Sequence, residues 1–316
     1  MKKVLITGAG GFVGTHLIRA LQDIGNYEIF AAVYQSTSDI TTLISPDHII
    51  AGDLTRIEFA STLIEQTKPD VVYHLAALSV VHNSVEKALG VMTGNTAISY
   101  NILEAIKRHA PEARFVAICS ANEYGAVIDK SRPIKETVAL RPLNPYAVSK
   151  VTQEMLALQY ALADNLDCVI IRPFNHTGPG QTTDFVIPRL ATQFAKIEKG
   201  LIPPVVEVGN LGSVRDFTDV SDMVQGYILA AEHGIKGEIY NIGSGEGHTI
   251  QEILDILQRL CSIKVEIKIN DAFVRTSDVP ILIADASKFK DLTSWSPKVP
   301  LVETIKHVYN YCKEQS

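Results

Sequence analysis

The chain opens with a lysine pair, a short apolar run and a cluster of glycines: Lys2-Lys3-Val4-Leu5-Ile6-Thr7-Gly8-Ala9-Gly10-Gly11-Phe12-Val13-Gly14. Thr15 to Leu21 follows with apolar residues at helical spacing. Strand, glycine turn and helix, in that order, is how a dinucleotide-binding unit begins. Glycine lets the chain turn tightly and lets a pyrophosphate approach bare N–H groups at a helix start. The spacing is GxxGxxG, through Gly8, Gly11 and Gly14. Gly8, Gly11, Phe12, Val13 and Gly14 are therefore expected against the cofactor.

The choice of dinucleotide turns on the end of the second strand, expected over Tyr27 to Tyr34. An acidic residue there grips the adenosine ribose of NAD, and an arginine favours the phosphate of NADP. Tyr34-Gln35-Ser36-Thr37-Ser38 offers neither. With no carboxylate to repel a 2′-phosphate, NADP(H) is favoured and NAD(H) stays open. Asp53, after the strand-like Ile49-Ile50, can accept from the adenine amine, with Leu54 beside it. It is equally placed to cap a helix beginning Leu54-Thr55, and the two roles are compatible.

Alternating strand and helix patterns fill the first half. Val71 to Ala77, Phe115 to Ser120 and Cys168 to Pro173 read as strands. Ala97 to His109 and Ala147 to Ala163 read as helices. The alternation predicts an α/β, Rossmann-type doubly wound parallel sheet. After Pro173 the pattern breaks into loops, and Ile239 to Ile242 returns as a strand. The expected organisation is a dinucleotide-binding domain over 1–173 plus about 212–244. A smaller, discontinuous C-terminal substrate lobe takes about 174–211 plus 245–316.

A chain of 316 residues, 46% hydrophobic, can bury one large core or two unequal ones. A net charge of −6 with scattered basic residues gives no electrostatic reason to expect nucleic acid as a partner. The four cysteines, Cys119, Cys168, Cys261 and Cys312, have no metal-ligand spacing. With no leader pattern and no membrane-length apolar stretch, they point to a reducing cytoplasm.

The chemistry is carried by Tyr146 and Lys150 in Asn144-Pro145-Tyr146-Ala147-Val148-Ser149-Lys150. Residues four apart share a helix face, so both reach one pocket. A nearby ammonium favours the phenolate and should lower the tyrosine pKa. Ser120 falls at the carboxyl edge of the sheet, where ligands of doubly wound folds bind, and can orient a substrate oxygen.

These pieces together resemble the extended short-chain dehydrogenase/reductase family. The matching residues are Thr7 to Gly14, His74-Leu75-Ala76-Ala77, Ser120 before Tyr124-Gly125, Tyr146 to Lys150, and Arg172-Pro173-Phe174-Asn175. The likeness covers nearly the whole chain. Pro173 to Gln181, Val208 to Leu211 and Arg215 to Val220 are most similar to reductases of GDP-linked 4-keto-6-deoxymannose.

The resemblance implies Ser120, Tyr146 and Lys150 as catalytic residues. It places Leu75, Ala76, Ala77 and Pro173 beside the cofactor, with Lys150 on the nicotinamide ribose. Ser79, Asn122 and Asn175 are candidates for the sugar. Arg215 and Arg275 are candidates for the diphosphate, and Asp278 for a nucleotide ribose or a plain loop role. The implied reaction is NAD(P)H-dependent reduction at C4, giving GDP-D-rhamnose. His176 and His74 are expected to be structural. Dehydratase relatives carry an acid and a base after the serine position; here those positions are Ala121 and Asn122. Glu123 is one residue further, on the opposite face if the strand continues.

The alternatives are a nucleotide-sugar epimerase or 4,6-dehydratase, and an inactive NADP-binding redox sensor. An intact Ser120, Tyr146 and Lys150 speaks against the sensor. Apolar residues beyond one face of the two helices (Ile98, Ile102, Leu103 and Ile106; Met155, Leu156, Leu158 and Tyr160) suggest a four-helix interface and a homodimer. Packing on the sheet alone is the other reading.

Overall fold

The computed structural model describes residues 1–34, 40–79, 85–129, 131–270 and 279–316. In chain order the first elements are β1 (Lys2–Thr7), α1 (Phe12–Ile24), β2 (Tyr27–Val33), β3 (Ile49–Ala51), α2 (Ile57–Thr67), β4 (Val71–His74) and α3 (Val85–His109). Next come β5 (Arg114–Ile118), α4 (Pro145–Ala163), β6 (Cys168–Pro173), β7 (Asn175–Thr177), α5 (Val186–Glu198), β8 (Val205–Val208) and β9 (Val214–Asp219). The chain ends with α6 (Val220–His233), β10 (Ile239–Ile242), β11 (Gly247–Thr249), α7 (Ile250–Leu260), β12 (Glu266–Ile269), β13 (Ile281–Leu282), α8 (Ser287–Thr293) and α9 (Leu301–Gln315).

The large sheet is parallel, with strand order β10-β6-β5-β4-β1-β2-β3. Its strands are apolar without alternation because both faces are covered. Val4 and Ile6 of β1 enter one core with α1 and α6, while Leu5 enters the other with α2, α3 and α4. The same split recurs in β5, where Val116 and Ile118 face one side and Phe115 and Ala117 the other. Each such side chain taken from water is worth about 1.5–3 kcal/mol. That burial is why strands of three to seven residues hold without local help.

Helix α1 buries Gly14, Leu17, Ile18 and Leu21, one face at helical spacing, and ends on Gly25 in the left-handed region. Pro145 opens α4, and Asn144 Oδ1 accepts from the Ala147 N–H at 2.8 Å. A cap of that kind is worth about 1 kcal/mol.

Three local expectations are corrected. The strand through Ser120 stops at Ile118, and Ala121–Tyr124 forms a 3-10 turn with Ser120 as its cap. Asp53 does not cap a helix at Leu54: its carboxylate closes a turn onto the Thr55 N–H and Oγ1, and α2 starts at Ile57. The stretch after Pro173 is not all loop, since β7 pairs with β9 in a second sheet with β11 and β13.

Buried Asp216 pins that second sheet. It accepts from Ser244 N and Oγ, Gly245 N and Ala284 N at 2.6–3.1 Å. Within residues 212–244, β9 sides with the small sheet, while β10 joins the large one and α6 packs on it. A separate core joins α5, α7 and α9 to β8.

Candidate active site

Strand β1 pairs with β2 on one side and β4 on the other, so the chain order reverses beside it. Doubly wound sheets bind ligands at the carboxyl ends of strands flanking that reversal. A cleft of about 1430 Å³ opens there, between the large sheet and the lobe carrying α5, β8 and β9. A single small-molecule site spans ~300–1,000 Å³, so this one has room for two ligands end to end.

Gly8, Gly11, Phe12, Val13 and Gly14 line one end. Gly8 is held at φ +70°, and a Cβ on it would fall 2.8 Å from the Ala76 amide nitrogen. A Cβ on Gly14 would meet Ala9 O at 2.6 Å, so this glycine lets α1 pack directly on the turn. Gly11 caps α1 without a side-chain hydrogen bond, leaving the helix N-terminus open to the cleft. Bare N–H groups at a helix start are what a pyrophosphate needs, so these residues fit a dinucleotide. Tyr34, Leu75, Ala77 and Pro173 line the same wall; Asp53, Leu54 and Ala76 do not.

A buried chain of polar side chains fixes the floor. His74 bridges Thr7 Oγ1 at 3.0 Å and Ser99 Oγ at 3.1 Å. Burial, then the Lys150 charge, pushes the His74 pKa down to about 3. It is a neutral core residue, as expected. Ser99 Oγ donates to the Asn95 carbonyl at 3.0 Å, and Asn95 Nδ2 to Ser149 Oγ at 2.9 Å. Ser149 Oγ donates to the Tyr146 carbonyl at 2.7 Å. The loop after β4 is tied in by the Leu78 N–H on Asn95 Oδ1. This network reaches from β1 to the first turn of α4.

Ser120, Tyr146 and Lys150 all line the cleft. The Ser120 side chain stands close enough to Tyr146 to influence its titration. Lys150 is buried, its Nζ donating to the Ile118 carbonyl at 2.7 Å and to Gln153 Oε1 at 2.9 Å. It stands 6.0 Å from the Tyr146 ring centroid. The surroundings do not lower the Tyr146 pKa as the spacing suggested. Burial raises it, a negative charge on Glu123 would add to that, and the nearby Ser120 side chain only partly opposes them. The phenol therefore carries its proton at neutral pH, the state an acid must be in before it donates.

Of the substrate candidates, Ser79, Asn122, Asn175 and Arg215 line the cleft. Arg275 and Asp278 lie outside the described residues. His176 also lines it, with Nδ1 3.0 Å from the Phe174 carbonyl oxygen and its ring parallel to that of Phe12. Burial lowers its pKa, consistent with a structural imidazole. Arg189 of α5 faces the same cleft and was missed. Its signal was a lone cation within the otherwise apolar Val186-Ile187-Pro188-Arg189-Leu190. Asn95, Ser149 and Gln153 were missed too, because the Asn95–Ser149 and Gln153–Ile118 contacts join positions far apart in sequence.

Glu123 does not line the cleft. It is fully buried, its Oε1 accepting from the Ser120 N–H at 3.0 Å and its Oε2 3.6 Å from Arg172 Nε. The expectation that it faces away holds, but through a 3-10 turn rather than strand alternation.

Fold and site together define a Rossmann-type NAD(P)-dependent oxidoreductase. A family model described as GDP-mannose 4,6 dehydratase matches residues 5–308. GDP-6-deoxy-D-mannose reductase of Pseudomonas aeruginosa is 31% identical over 307 residues, 97% of this chain and 96% of that protein. GDP-6-deoxy-D-talose 4-dehydrogenase of Aggregatibacter actinomycetemcomitans is 31% identical over 287 residues, 90% of this chain and 89% of its own. Among solved structures, RMD from Pseudomonas aeruginosa complexed with NADPH superposes with a TM-score of 0.88 at 29% identity, covering 100% of both chains. UDP-glucuronic acid 4-epimerase from Bacillus cereus, in complex with UDP-glucuronic acid and NAD, gives 0.88 at 29% identity over 99% of this chain and 100% of its own. The chain belongs to the extended short-chain dehydrogenase/reductase family, in the branch of nucleotide-sugar oxidoreductases that the GDP-mannose 4,6 dehydratase model describes.

Proposed function

We propose that this enzyme reduces the C4 keto group of a GDP-linked 4-keto-6-deoxyhexose, taking GDP-4-keto-6-deoxy-D-mannose to GDP-D-rhamnose with NADPH favoured over NADH. The observation that carries this reading is Ser120, a proton-loaded Tyr146 and Lys150 gathered on one cleft, with no carboxylate at positions 121 and 122 to support elimination. When bound, the nicotinamide supplies hydride. Tyr146 donates its phenol proton to the substrate oxygen, and Ser120 Oγ hydrogen-bonds that oxygen as charge develops. Lys150 is fixed to reach the nicotinamide ribose. Asn175 and Ser79 take the sugar, and Arg215 with Arg189 the diphosphate. Elimination needs a base at C5, and Glu123, the carboxylate next in sequence to those positions, is turned into the core. The reductase among the relatives and the NADPH complex among the solved structures support the same assignment.

The test is net consumption of reduced cofactor when the purified enzyme is given the keto-sugar. Turnover without net consumption means an epimerase or dehydratase instead. Binding without turnover means a sensor.

The preference for NADPH rests on the end of β2, where Tyr34 is exposed and lines the cleft. Tyr34→Asp is expected to weaken NADPH relative to NADH by roughly tenfold, ~1.4 kcal/mol, by repelling the 2′-phosphate. A fluorescence titration showing unchanged NADPH affinity contradicts this.

We also propose a cytoplasmic homodimer. The four cysteines are free and buried, and among the described residues no helix is long and apolar enough to cross a membrane. Ile102, Leu103, Ile106 and Tyr160 are committed to the core beside the sheet, and Ile98, Leu156 and Leu158 pack against it. The outward apolar positions on α3 and α4 are Leu89, Tyr100, Met155 and Leu162. Paired with their symmetry mates they form a four-helix interface. Light scattering is expected to give twice the 34.6 kDa chain mass at micromolar concentration, and 34.6 kDa removes the proposal.

A further inference from the structure

Behind Ser120 lies a charge cluster that the reduction does not use. Glu123, Glu154 and Arg172 are each 3% exposed or less. Arg172 grips Glu154 with both arms, Nε to Oε2 at 2.7 Å and Nη2 to Oε1 at 2.6 Å. Its approach to Glu123 is looser, at 3.6 Å. Oε2 of Glu123 receives no N–H or O–H among the described residues. A carboxylate oxygen of Glu123 lies within 4.8 Å of one of Glu154.

Two ionised carboxylates placed so closely repel, and one guanidinium balances only one of them. A single proton removes the excess charge and gives the orphaned oxygen a partner. Cys119 Sγ and the two carboxylates lie within 4.8 Å of one another, a spacing a metal could use. Here Arg172 already supplies the cation, and burial keeps the Cys119 thiol protonated.

We propose that Glu123 stands as a neutral carboxylic acid, donating from Oε2 to Glu154 while Oε1 holds the Ser120 N–H, and that it is thereby a positioning residue for the Ser120–Tyr146 pair. The groups facing it are Cys119 after β5, Tyr124 in the 3-10 turn, Tyr146, Lys150 and Glu154 on α4, and Arg172 on β6. Burial and the Glu154 charge raise its proton affinity, and Arg172 opposes them only in part. Arg172 also donates to Tyr124 Oη at 2.8 Å, which donates to Asn241 Oδ1 at 2.7 Å, so the cluster ties the Ser120 turn to β6 and β10. An ionised Glu123 tightens the hold of Tyr146 on its proton. A neutral one leaves the phenol freer to donate.

Infrared difference spectroscopy tests the protonation state without substrate. At neutral pH the parent is expected to show the carbonyl stretch of a protonated carboxylic acid, and Glu123→Gln is expected to lack it. A parent spectrum without that band overturns the proposal. The kinetic test rests on the reductase reading. Glu123→Ala is expected to lower kcat on the keto-sugar on the order of tenfold to a hundredfold, with the KM for NADPH unchanged, because Ser120 loses its anchor. Glu123→Gln keeps the acceptor for Ser120 and a donor for Glu154, so it is expected to recover most of that loss. The basic limb of its kcat/KM profile should stay in place. A fall of that limb by about one pH unit or more overturns the proposal, because it shows that a negative charge was removed. If the alanine variant does not fold, the glutamine variant and the infrared band decide. The band without keto-sugar turnover leaves the shared proton standing and the reductase reading refuted.

Discussion

Tyr146→Phe is expected to lower kcat on the keto-sugar on the order of 10²- to 10⁴-fold, with little change in cofactor affinity. The substitution removes one oxygen from a ring half-buried at the start of α4 and leaves the cap at Asn144 and the Ser149 bond to its carbonyl untouched. What is lost is the proton, not the fold. Stopped-flow consumption of NADPH measures the first quantity and a binding titration the second. Turnover close to that of the parent rules out Tyr146 as the proton donor.

Gly14→Val carries the second large effect, on the cofactor. The first carbon of any side chain there meets Ala9 O at 2.6 Å and Ala9 Cα at 2.7 Å, with Gly8 O also at 2.7 Å. All three are backbone atoms of the turn, so none can swing aside. Helix α1 has to lift away from the turn that its N-terminus completes. Dinucleotide binding is expected to fall below detection, and stability by about 1–3 kcal/mol, the usual range for overpacking. At Gly11 the only close atom among the described residues is Gly8 O at 3.2 Å, so Gly11→Ala should be much milder for folding. Calorimetric titration with NADPH and thermal melts of both variants check this contrast. Equal damage at the two positions contradicts it.

The parts of the molecule that were legible in the sequence are those whose signal is local. The β1 turn and α1 are encoded in residues 2–21 as a single unbroken pattern of burial, glycine and helical spacing. Tyr146 and Lys150 sit one helical turn apart, with a proline and an asparagine marking where that turn begins. The parallel strands read as apolar runs because both faces are covered.

What stayed hidden depends on partners far along the chain. Strands β7, β11 and β13 are two or three residues long and exist because they pair with β9. Asp216 looks like a surface charge until Ser244, Gly245 and Ala284 arrive around it. His74 needs Thr7 and Ser99, and Asn95 needs Ser149, to show that they brace the start of α4. The strand expected to reach Ser120 gives way after Ile118 to a 3-10 turn whose buried Ala121 and Tyr124 suit either conformation. The orientation of Glu123 followed from that turn and from Arg172, 49 positions away, and not from any spacing around it.

On the reductase reading, hydride comes from exchangeable cofactor and stays on the sugar. The most direct test supplies NADPH deuterated at the nicotinamide C4, on both faces, with the keto-sugar made by a separate dehydratase. One deuterium at C4 of the hexose and one NADPH consumed for each product formed are expected. Label entering C5 from deuterated water, with GDP-mannose turned over and no net loss of NADPH, contradicts it and makes the enzyme a dehydratase.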